Sequence, residues 1–147
     1  MTNRAPLTIT WIATLAGILD AGYLSFEKLT QSPIYCTPGI GNCNTVNSSS
    51  YSVLLGIPVA YLGLFMYLAI LFLLVFGESI QSLKPYTLYL MFGLSFFGFL
   101  FSLYLTYLEI WVIKAICEWC IISAILVTVI FIYTAIRLFN RKEINPT

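Results

Sequence analysis

Apolar and polar residues alternate along this chain in long blocks. Four apolar runs stand out, at about 7–30, 54–76, 86–108 and 113–138. A helix needs about 20 apolar residues to cross a hydrocarbon core that is roughly 30 Å thick, and each run is long enough. The pattern predicts an all-α integral membrane protein, a bundle of four transmembrane helices that uses residues 1–147 as a single domain.

The composition agrees with a membrane location. Apolar residues make up 60% of the chain and charged residues 9%, whereas about 25% of the residues in a soluble domain are charged. The net charge of +1 comes without a basic tract, so no nucleic-acid partner is expected. Histidine is absent, which leaves thiols, carboxylates and phenols for any proton or metal chemistry.

The first apolar run has a second interpretation, a cleaved signal peptide, because Arg4 precedes the apolar stretch from Leu7 to Leu19. The apolar character, however, continues past Asp20 as far as Phe26 and is longer than a usual signal core. The stretch also lacks a clean small-x-small cleavage site. We therefore expect a first span that is retained.

The segment 31–53, between the first two runs, is rich in Ser, Asn, Thr, Gly and Pro. Connections between packed helices usually have about 2–8 residues, so a loop of this length is expected to be functional. It carries Cys36 and Cys43. Pro38 and two glycines lie between them, and such residues allow a chain reversal that would bring the two sulfurs together.

A second cysteine pair, Cys117 and Cys120, begins the fourth helix with the C-x-x-C spacing of redox-active disulfides. Thiols in the first turn of a helix feel the positive end of its dipole, and Lys114 adds a cation, so we expect a lowered thiol pKa. Cys117, at the interface, is expected to be the more exposed nucleophile, with Cys120 one turn deeper. The alternative is that both act as small buried hydrophobic residues.

Basic residues near the ends of the runs divide unequally between the two sides of the membrane. One side has Arg4, Lys84, Arg137, Arg141 and Lys142, and the other has Lys28 and Lys114. This excess predicts a multi-pass protein of the cell (cytoplasmic) membrane with both termini in the cytoplasm. The cysteine loop and the turn before Cys117 then face outward, and in a bacterium or archaeon protein disulfides persist in that compartment.

All four cysteines are thus expected at one edge of the membrane. Two thiol pairs that can meet form a relay, because thiol–disulfide exchange hands an electron pair from one couple to the next. Two alternatives stay open: a static disulfide in the loop and a zinc site built from four thiolates. A c-type haem is excluded because no histidine follows Cys120.

Asp20 lies in the second half of the first span, and a carboxylate inside a membrane is a functional hypothesis by default. The alternative is a protonated or hydrogen-bonded residue that faces the bundle, with Tyr23 on the same helix face as a partner. By i+3/i+4 spacing, the face of Cys120 on the fourth helix is shared by Ser123, Ala124, Val127 and Thr128.

Five motifs follow one another along the chain: Cys36-x6-Cys43, Ser48-Ser49-Ser50-Tyr51, Gly56-Ile57-Pro58-Val59, Tyr107-Leu108-Glu109 and Cys117-x-x-Cys120. A C-x-x-C alone is a weak signal. Combined with a loop pair, a Ser-rich segment and four spans in this order, it resembles the bacterial and archaeal homologues of vitamin K epoxide reductase. The resemblance covers nearly the whole chain.

This resemblance implies a four-helix bundle that encloses a quinone of the ubiquinone or menaquinone type, with the C-x-x-C beside the ring. It also implies that the loop cysteines take electrons from a thioredoxin-like (DsbA-like) protein. Carried over by position, Cys120 is the thiol next to the quinone, and Cys117 is the one that exchanges with the loop. Ser49 matches the loop serine of the family's motif.

The chain departs from the family pattern in two respects. Animal members carry an Asn on the second helix and a Tyr four residues after the second cysteine of the motif, both near the quinone, and Val59 and Ala124 occupy those positions here. Quinone reduction is therefore expected and epoxide reduction is not. Many bacterial members are fused to a thioredoxin-like domain, for which a chain ending at Thr147 has no room, so a separate partner is expected.

The sequence thus predicts a membrane thiol–disulfide oxidoreductase that oxidises a partner's dithiol, reduces a quinone and supports protein disulfide bond formation. Polar contacts to the ring are expected from Asp20, Ser123 or Thr128, or from the backbone or water. One alternative is a quinone or vitamin K epoxide reductase whose reduced ring is the product of interest. Another is a non-catalytic membrane protein with structural disulfides.

Overall fold

The computed structural model describes residues 5–39 and 41–144. Its helices, in chain order, are α1 (Ala5–Thr30), α2 (Cys43–Ser48), α3 (Val59–Phe76), α4 (Thr87–Tyr107) and α5 (Glu118–Ile144). All except the short α2 are long and apolar enough to cross a membrane. The predicted all-α, four-span architecture is therefore confirmed. Arg4, which entered both the charge count and the signal-peptide alternative, lies outside the described residues.

Helix α5 packs against α1 and α4, and α1 also packs against α3. The central core consists of Ala13, Ala21, Tyr67, Ile70, Leu73, Met91 and Ile130. Gly17 lets α1 and α3 approach closely, since a Cβ at this position would overlap the Tyr67 ring. Large apolar side chains such as Leu19 and Phe65 point outward, as expected for helices whose outer surface faces lipid tails.

The second span begins later than the apolar run predicts, at Val59 instead of about 54. Two short antiparallel strands precede it, β1 (Val53–Leu54) and β2 (Ile57–Pro58). Between them Leu55 and Gly56 have φ angles of 54° and 84°, as in the two-residue turns that suit a hairpin. The apolar composition of these residues does not distinguish a strand from the start of a helix, so the sequence pattern extended the span.

The connection between α4 and α5 is also more structured than the sequence indicates. Helix α4 continues into a π-helical segment, Leu108–Ile113, and Lys114 reverses the chain with a φ of 58°. The N–H groups of Lys114 and Ala115 both donate to the carbonyl oxygen of Glu109. Because the reversal takes up these residues, α5 begins at Glu118 instead of about 113.

The loop between α1 and α3 folds over the same end of the bundle. The Asn42 side chain caps α2 by accepting a hydrogen bond from the Thr45 N–H at 3.2 Å. Lys28, near the end of α1, donates to the carbonyl oxygen of Asn47 at 2.7 Å and contacts the Ser52 hydroxyl at 3.3 Å. The loop is therefore held as a compact cap and not as an extended connection.

Candidate functional site

The two cysteine pairs meet in one buried cluster at the capped end of the bundle. Cys36 and Cys43 form a disulfide, which confirms the predicted chain reversal between them. Cys117 and Cys120 are free thiols. Cys43 and Cys117 belong to the same set of buried residues, and Cys36 and Cys120 pack against that set. Residues far apart in the sequence are thus gathered at one end of the molecule.

Backbone contacts dock the loop onto the residues before the C-x-x-C. The N–H of Asn42 donates to the carbonyl oxygen of Ile116 at 2.9 Å. Gly41 lies so close to this oxygen that a Cβ at this position would overlap it. The contact has room for a hydrogen atom and no more. It brings the neighbour of Asn42, Cys43, and the neighbour of Ile116, Cys117, into the same cluster.

Each pair has one fully buried and one partly exposed sulfur. Cys43 and Cys117 are 0% and 1% exposed, whereas Cys36 and Cys120 are half-buried. The prediction that Cys117 is the more exposed thiol of its pair is therefore wrong. Depth along the helix was the basis of that prediction, and depth takes no account of a loop that covers Cys117. Of the loop sulfurs, Cys36 is the one that another molecule can reach.

Hydrogen bonding lowers the pKa of the Cys117 thiol below its ordinary value. The largest cause is a hydrogen bond with the Cys120 side chain, and the backbone N–H groups of Cys120 and Trp119 at the helix start add to it. Burial and the nearby Glu109 carboxylate act in the opposite direction. The lowered pKa expected from the sequence is confirmed, but its main cause is the second thiol and not the charge of Lys114.

Glu118, inside the C-x-x-C, holds the loop beside Cys36. Its carboxylate accepts hydrogen bonds from the backbone N–H of Thr37 at 3.1 Å and from the Thr37 hydroxyl at 3.2 Å. One carboxylate oxygen lies 3.8 Å from the Cys36 sulfur. Because that sulfur is in a disulfide it has no proton to donate, and the contact can become a hydrogen bond only when the disulfide is reduced.

Trp119, the other residue inside the C-x-x-C, binds the opposite side of the loop. Its indole N–H donates to the carbonyl oxygen of Tyr35 at 2.7 Å. Its ring lies against Tyr23 of α1, with ring centroids 4.8 Å apart. The Tyr23 hydroxyl in turn accepts a hydrogen bond from the Tyr35 N–H at 3.2 Å. Tyr23, considered above as a partner for Asp20, thus belongs to the loop contact.

Glu109 is a buried carboxylate beside the thiol pair, with 4% of its surface exposed. It accepts a hydrogen bond from the backbone N–H of Cys117 at 3.2 Å, and its side chain lies near the Cys120 thiol. In the sequence, this residue stands out only as part of the motif Tyr107-Leu108-Glu109. The signal that could have found it is a carboxylate directly after an apolar run, in a chain with six acidic residues.

A second buried polar cluster lies one turn deeper than Cys120 along α5. The Tyr67 hydroxyl contacts the carbonyl and hydroxyl oxygens of Ser123, each at 3.0 Å. Asp20 from α1 is 4% exposed and lies near both residues. Among the described residues, neither of its carboxylate oxygens has a hydrogen bond of good geometry. Tyr67 was not singled out from the sequence, because its ring resembles any other aromatic residue of an apolar span.

The remaining predicted pocket residues take separate places. Val59 is the first residue of α3, and Ala124 lies on α5, both half-buried. The Thr128 hydroxyl donates to the carbonyl oxygen of Ala124 at 2.7 Å. The Ser49 hydroxyl donates to the carbonyl oxygen of Val46 at 2.7 Å and so caps α2. Both hydroxyl protons are used locally, and contacts of these four residues with a quinone stay predictions.

Comparison with known proteins adds two findings. The thiol-disulfide oxidoreductase LTO1 of Arabidopsis thaliana is 40% identical to this chain over 50 residues, which are 34% of the chain and 13% of that protein. The chain thus matches a small part of this relative's length. A model of the vitamin K epoxide reductase family matches residues 8–135. Since that match takes in all four cysteines and both connections that carry them, the chain belongs to the vitamin K epoxide reductase family.

Proposed function

We propose that the protein is a membrane thiol oxidoreductase that takes electrons from the dithiol of a thioredoxin-like protein and delivers them to a quinone. The observation that carries this proposal is the shared burial of Cys43 and Cys117, one from each pair, in a single cluster. If the loop disulfide only stabilised the fold, Cys43 would not have to lie in the same cluster as Cys117. Thiol–disulfide exchange does require this arrangement, because one sulfur must attack another directly.

The burial of the four sulfurs supports an order of transfer. Cys36, half-buried at the surface, exchanges with the partner, and the partner's disulfide leaves as Cys36 and Cys43 become thiols. Cys43 then attacks the sulfur of Cys117 in the oxidised C-x-x-C and releases Cys120. Cys36 attacks Cys43 and releases Cys117, which restores the loop disulfide. The Cys117–Cys120 pair ends as a dithiol, with two electrons to give to a quinone.

The deeper polar cluster supports a quinone next to Cys120. A quinone ring has two oxygens that need hydrogen-bonding groups, and Ser123 lies one turn below Cys120 on the same helix. The buried oxygens of Asp20, when protonated, and the hydroxyl groups of Tyr67 and Ser123 are suitable partners for a ring oxygen. A quinone is a stronger oxidant than typical protein dithiols, so electrons flow from the thiols to the ring.

The proposal includes an orientation and a partner. The excess of basic residues near Lys84 and Arg137 supports cytoplasmic termini. With that orientation, the cysteine end faces the outside of the cell membrane. That is the side on which a thioredoxin-like (DsbA-like) protein forms disulfides in substrates. Reoxidation of such a partner supports protein disulfide bond formation, which we take to be the role of the protein.

Trapping of the exchange intermediate tests the relay. The Cys120→Ser variant cannot complete the membrane disulfide, so Cys117 should be captured in a disulfide with Cys43, detectable by mass spectrometry after digestion. A second substitution, Cys36→Ser, should preserve this link, and Cys43→Ser should remove it. Capture of Cys117 by Cys36, or full quinone reduction by Cys120→Ser, would show that the order is wrong.

Substrate range separates the proposal from its alternatives. Since Val59 and Ala124 offer no side-chain hydrogen bond to a ring, we expect turnover with quinones of several headgroups and little or no epoxide reduction. The assay is quinone absorbance with purified protein and a reduced thioredoxin-like donor. Rapid reduction of vitamin K epoxide would favour the epoxide reductase alternative. Cysteines that never cycle in cells, probed by thiol trapping, would favour structural disulfides.

A further inference from the structure

Glu109 has no place in the relay of the four cysteines, yet its carboxylate is buried beside the C-x-x-C. Its side chain is 4% exposed and binds the backbone N–H of Cys117, which belongs to an apolar cluster with Leu24 and Ile34. A buried carboxylate without a cation beside it is costly. The nearest basic residue in sequence, Lys114, is exposed. The burial of the Glu109 carboxylate therefore requires an explanation.

The backbone holds the Glu109 side chain in a defined place. Glu109 is the second residue of the π-helical segment, and its carbonyl oxygen accepts hydrogen bonds from the N–H groups of Lys114 and Ala115. Its carboxylate accepts the N–H of Cys117 at 3.2 Å. The chain reversal at Lys114 thus brings the start of α5 back to the carboxylate, which lies near the Cys120 thiol.

The electrostatics of this pocket limit how many negative charges it holds. Among the described residues, the ionisable side chains that interact with the Glu109 carboxylate are those of Cys117 and Cys120. The packed elements add the hydroxyl of Tyr23 from α1 and the Cys36–Cys43 disulfide from the loop. None of these supplies a positive charge. A carboxylate and a thiolate close together repel each other strongly in an apolar site, so such a pair favours holding one proton.

We propose that Glu109 and Cys120 share one buried proton, and that Glu109 is the catalytic residue that accepts this proton from Cys120 and later returns it. This inference rests on the proposed thiol–quinone reaction. When Cys43 attacks Cys117, the departing Cys120 takes the proton from Glu109 and becomes a thiol. When the Cys117–Cys120 pair gives its two electrons to the quinone, Glu109 takes the Cys120 proton back, and the quinone takes one proton from Cys117 and one from solvent. During the attack, the single negative charge that enters with the Cys43 thiolate passes to Glu109.

The first test measures the thiol itself and needs no quinone. In the Cys117→Ser variant with the loop disulfide intact, Cys120 is the one free thiol of the chain. Its alkylation by a small maleimide is followed against pH by mass spectrometry. Glu109→Gln keeps an oxygen for the Cys117 backbone N–H but removes the charge. Glu109→Gln should shift the alkylation midpoint to lower pH by about one pH unit or more. The control Glu78→Gln, at an exposed site at the other end of the bundle, should leave the midpoint unchanged.

The second test measures turnover. Removal of a general acid–base group typically costs about 10²–10⁴-fold, so Glu109→Gln should lower quinone reduction at pH 7 by about 100-fold or more. Raising the pH should recover part of this loss, because hydroxide can then remove the proton. Glu109→Asp, which retains a carboxylate, should retain more activity than Glu109→Gln. Glu78→Gln should match the unmodified protein.

The two tests separate the inference from the function on which it rests. An alkylation midpoint that is the same with Glu109 and Gln at this position overturns the shared proton, whatever the quinone assay shows. A shifted midpoint with unchanged turnover overturns the catalytic role. Absence of quinone reduction in the unmodified protein, with the midpoint shift present, refutes the proposed function while the shared proton stands.

Discussion

The contact between Gly41 and Ile116 permits a quantitative prediction about the relay. In Gly41→Ala the new methyl group would occupy the position of the Ile116 carbonyl oxygen, so the loop must move away. Overpacking of this kind costs about 1–3 kcal/mol. Separation also breaks the Asn42 to Ile116 hydrogen bond, worth about 0.5–1.5 kcal/mol. The central values add to about 3 kcal/mol, and since 1.4 kcal/mol is tenfold, the docked loop should become about 100-fold less populated.

The effective concentration of one thiol near another measures this docking directly. In Cys36→Ser/Cys120→Ser, Cys43 and Cys117 are the two cysteines that remain of the four. Their disulfide is equilibrated against glutathione redox buffers and quantified by mass spectrometry. Gly41→Ala in this background should lower the effective concentration about 100-fold, while the far-ultraviolet circular dichroism of the helices stays unchanged.

A matched glycine variant provides the control. Gly22 lies within α1, and a Cβ added there meets nothing within 4 Å. Gly22→Ala should therefore leave the effective concentration unchanged. If Gly41→Ala gives the same value as Gly22→Ala, the backbone contact does not hold the two sulfurs together, and the docking described here has no energetic importance for exchange.

Three further predictions concern orientation, the polar cluster and the reactive thiol. In intact, reduced cells, a membrane-impermeant label should reach Cys36 from outside and a cysteine placed at Arg141 only from the cytoplasm; the reverse pattern would contradict the orientation. Asp20→Ala should raise the KM for quinone about tenfold with little change in the thiol exchange rate, because it removes the proposed hydrogen bond to the ring, worth about 1.4 kcal/mol. Equal loss of both would indicate a structural role. Since the Cys120 hydrogen bond is the largest cause of the lowered Cys117 pKa, Cys120→Ala should raise that pKa and move Cys117 alkylation to higher pH; an unchanged profile would contradict this cause.

Much of the architecture was predictable because it depends on residue type alone. Hydrophobicity identified four spans, and the structure has four long apolar helices. The errors lie at the two span starts, about 54 and 113, which became Val59 and Glu118. At both places apolar residues form something other than an α-helix, a hairpin in one case and a π-helical segment with a reversal in the other. An apolar composition is common to α-helices, short hairpins and π-helical segments, so it could not distinguish among the three.

The cysteines of the candidate site were predictable from the sequence, and their contacts and polar neighbours were not. The spacing of the four cysteines identified both pairs, and the loop disulfide between Cys36 and Cys43 was found. The exposure of Cys117 was predicted wrongly, because the covering loop is distant in sequence. Glu109 was passed over as a site residue for the same kind of reason, since its nearness to the thiols depends on the backbone reversal at Lys114.

By itself, the sequence determined that the chain crosses a membrane four times and carries two cysteine pairs at one end. Both features depend on contiguous residues: a run of apolar residues forms a span, and the spacing of two cysteines defines a pair. Only the tertiary structure decided which cysteines share a buried cluster, which carboxylate lies beside the C-x-x-C and which glycine the docked loop requires. These features arise when α1, the cysteine loop and the start of α5 pack together. Burial and hydrogen bonding depend on neighbours that are distant in sequence, and chain folding alone brings them into contact.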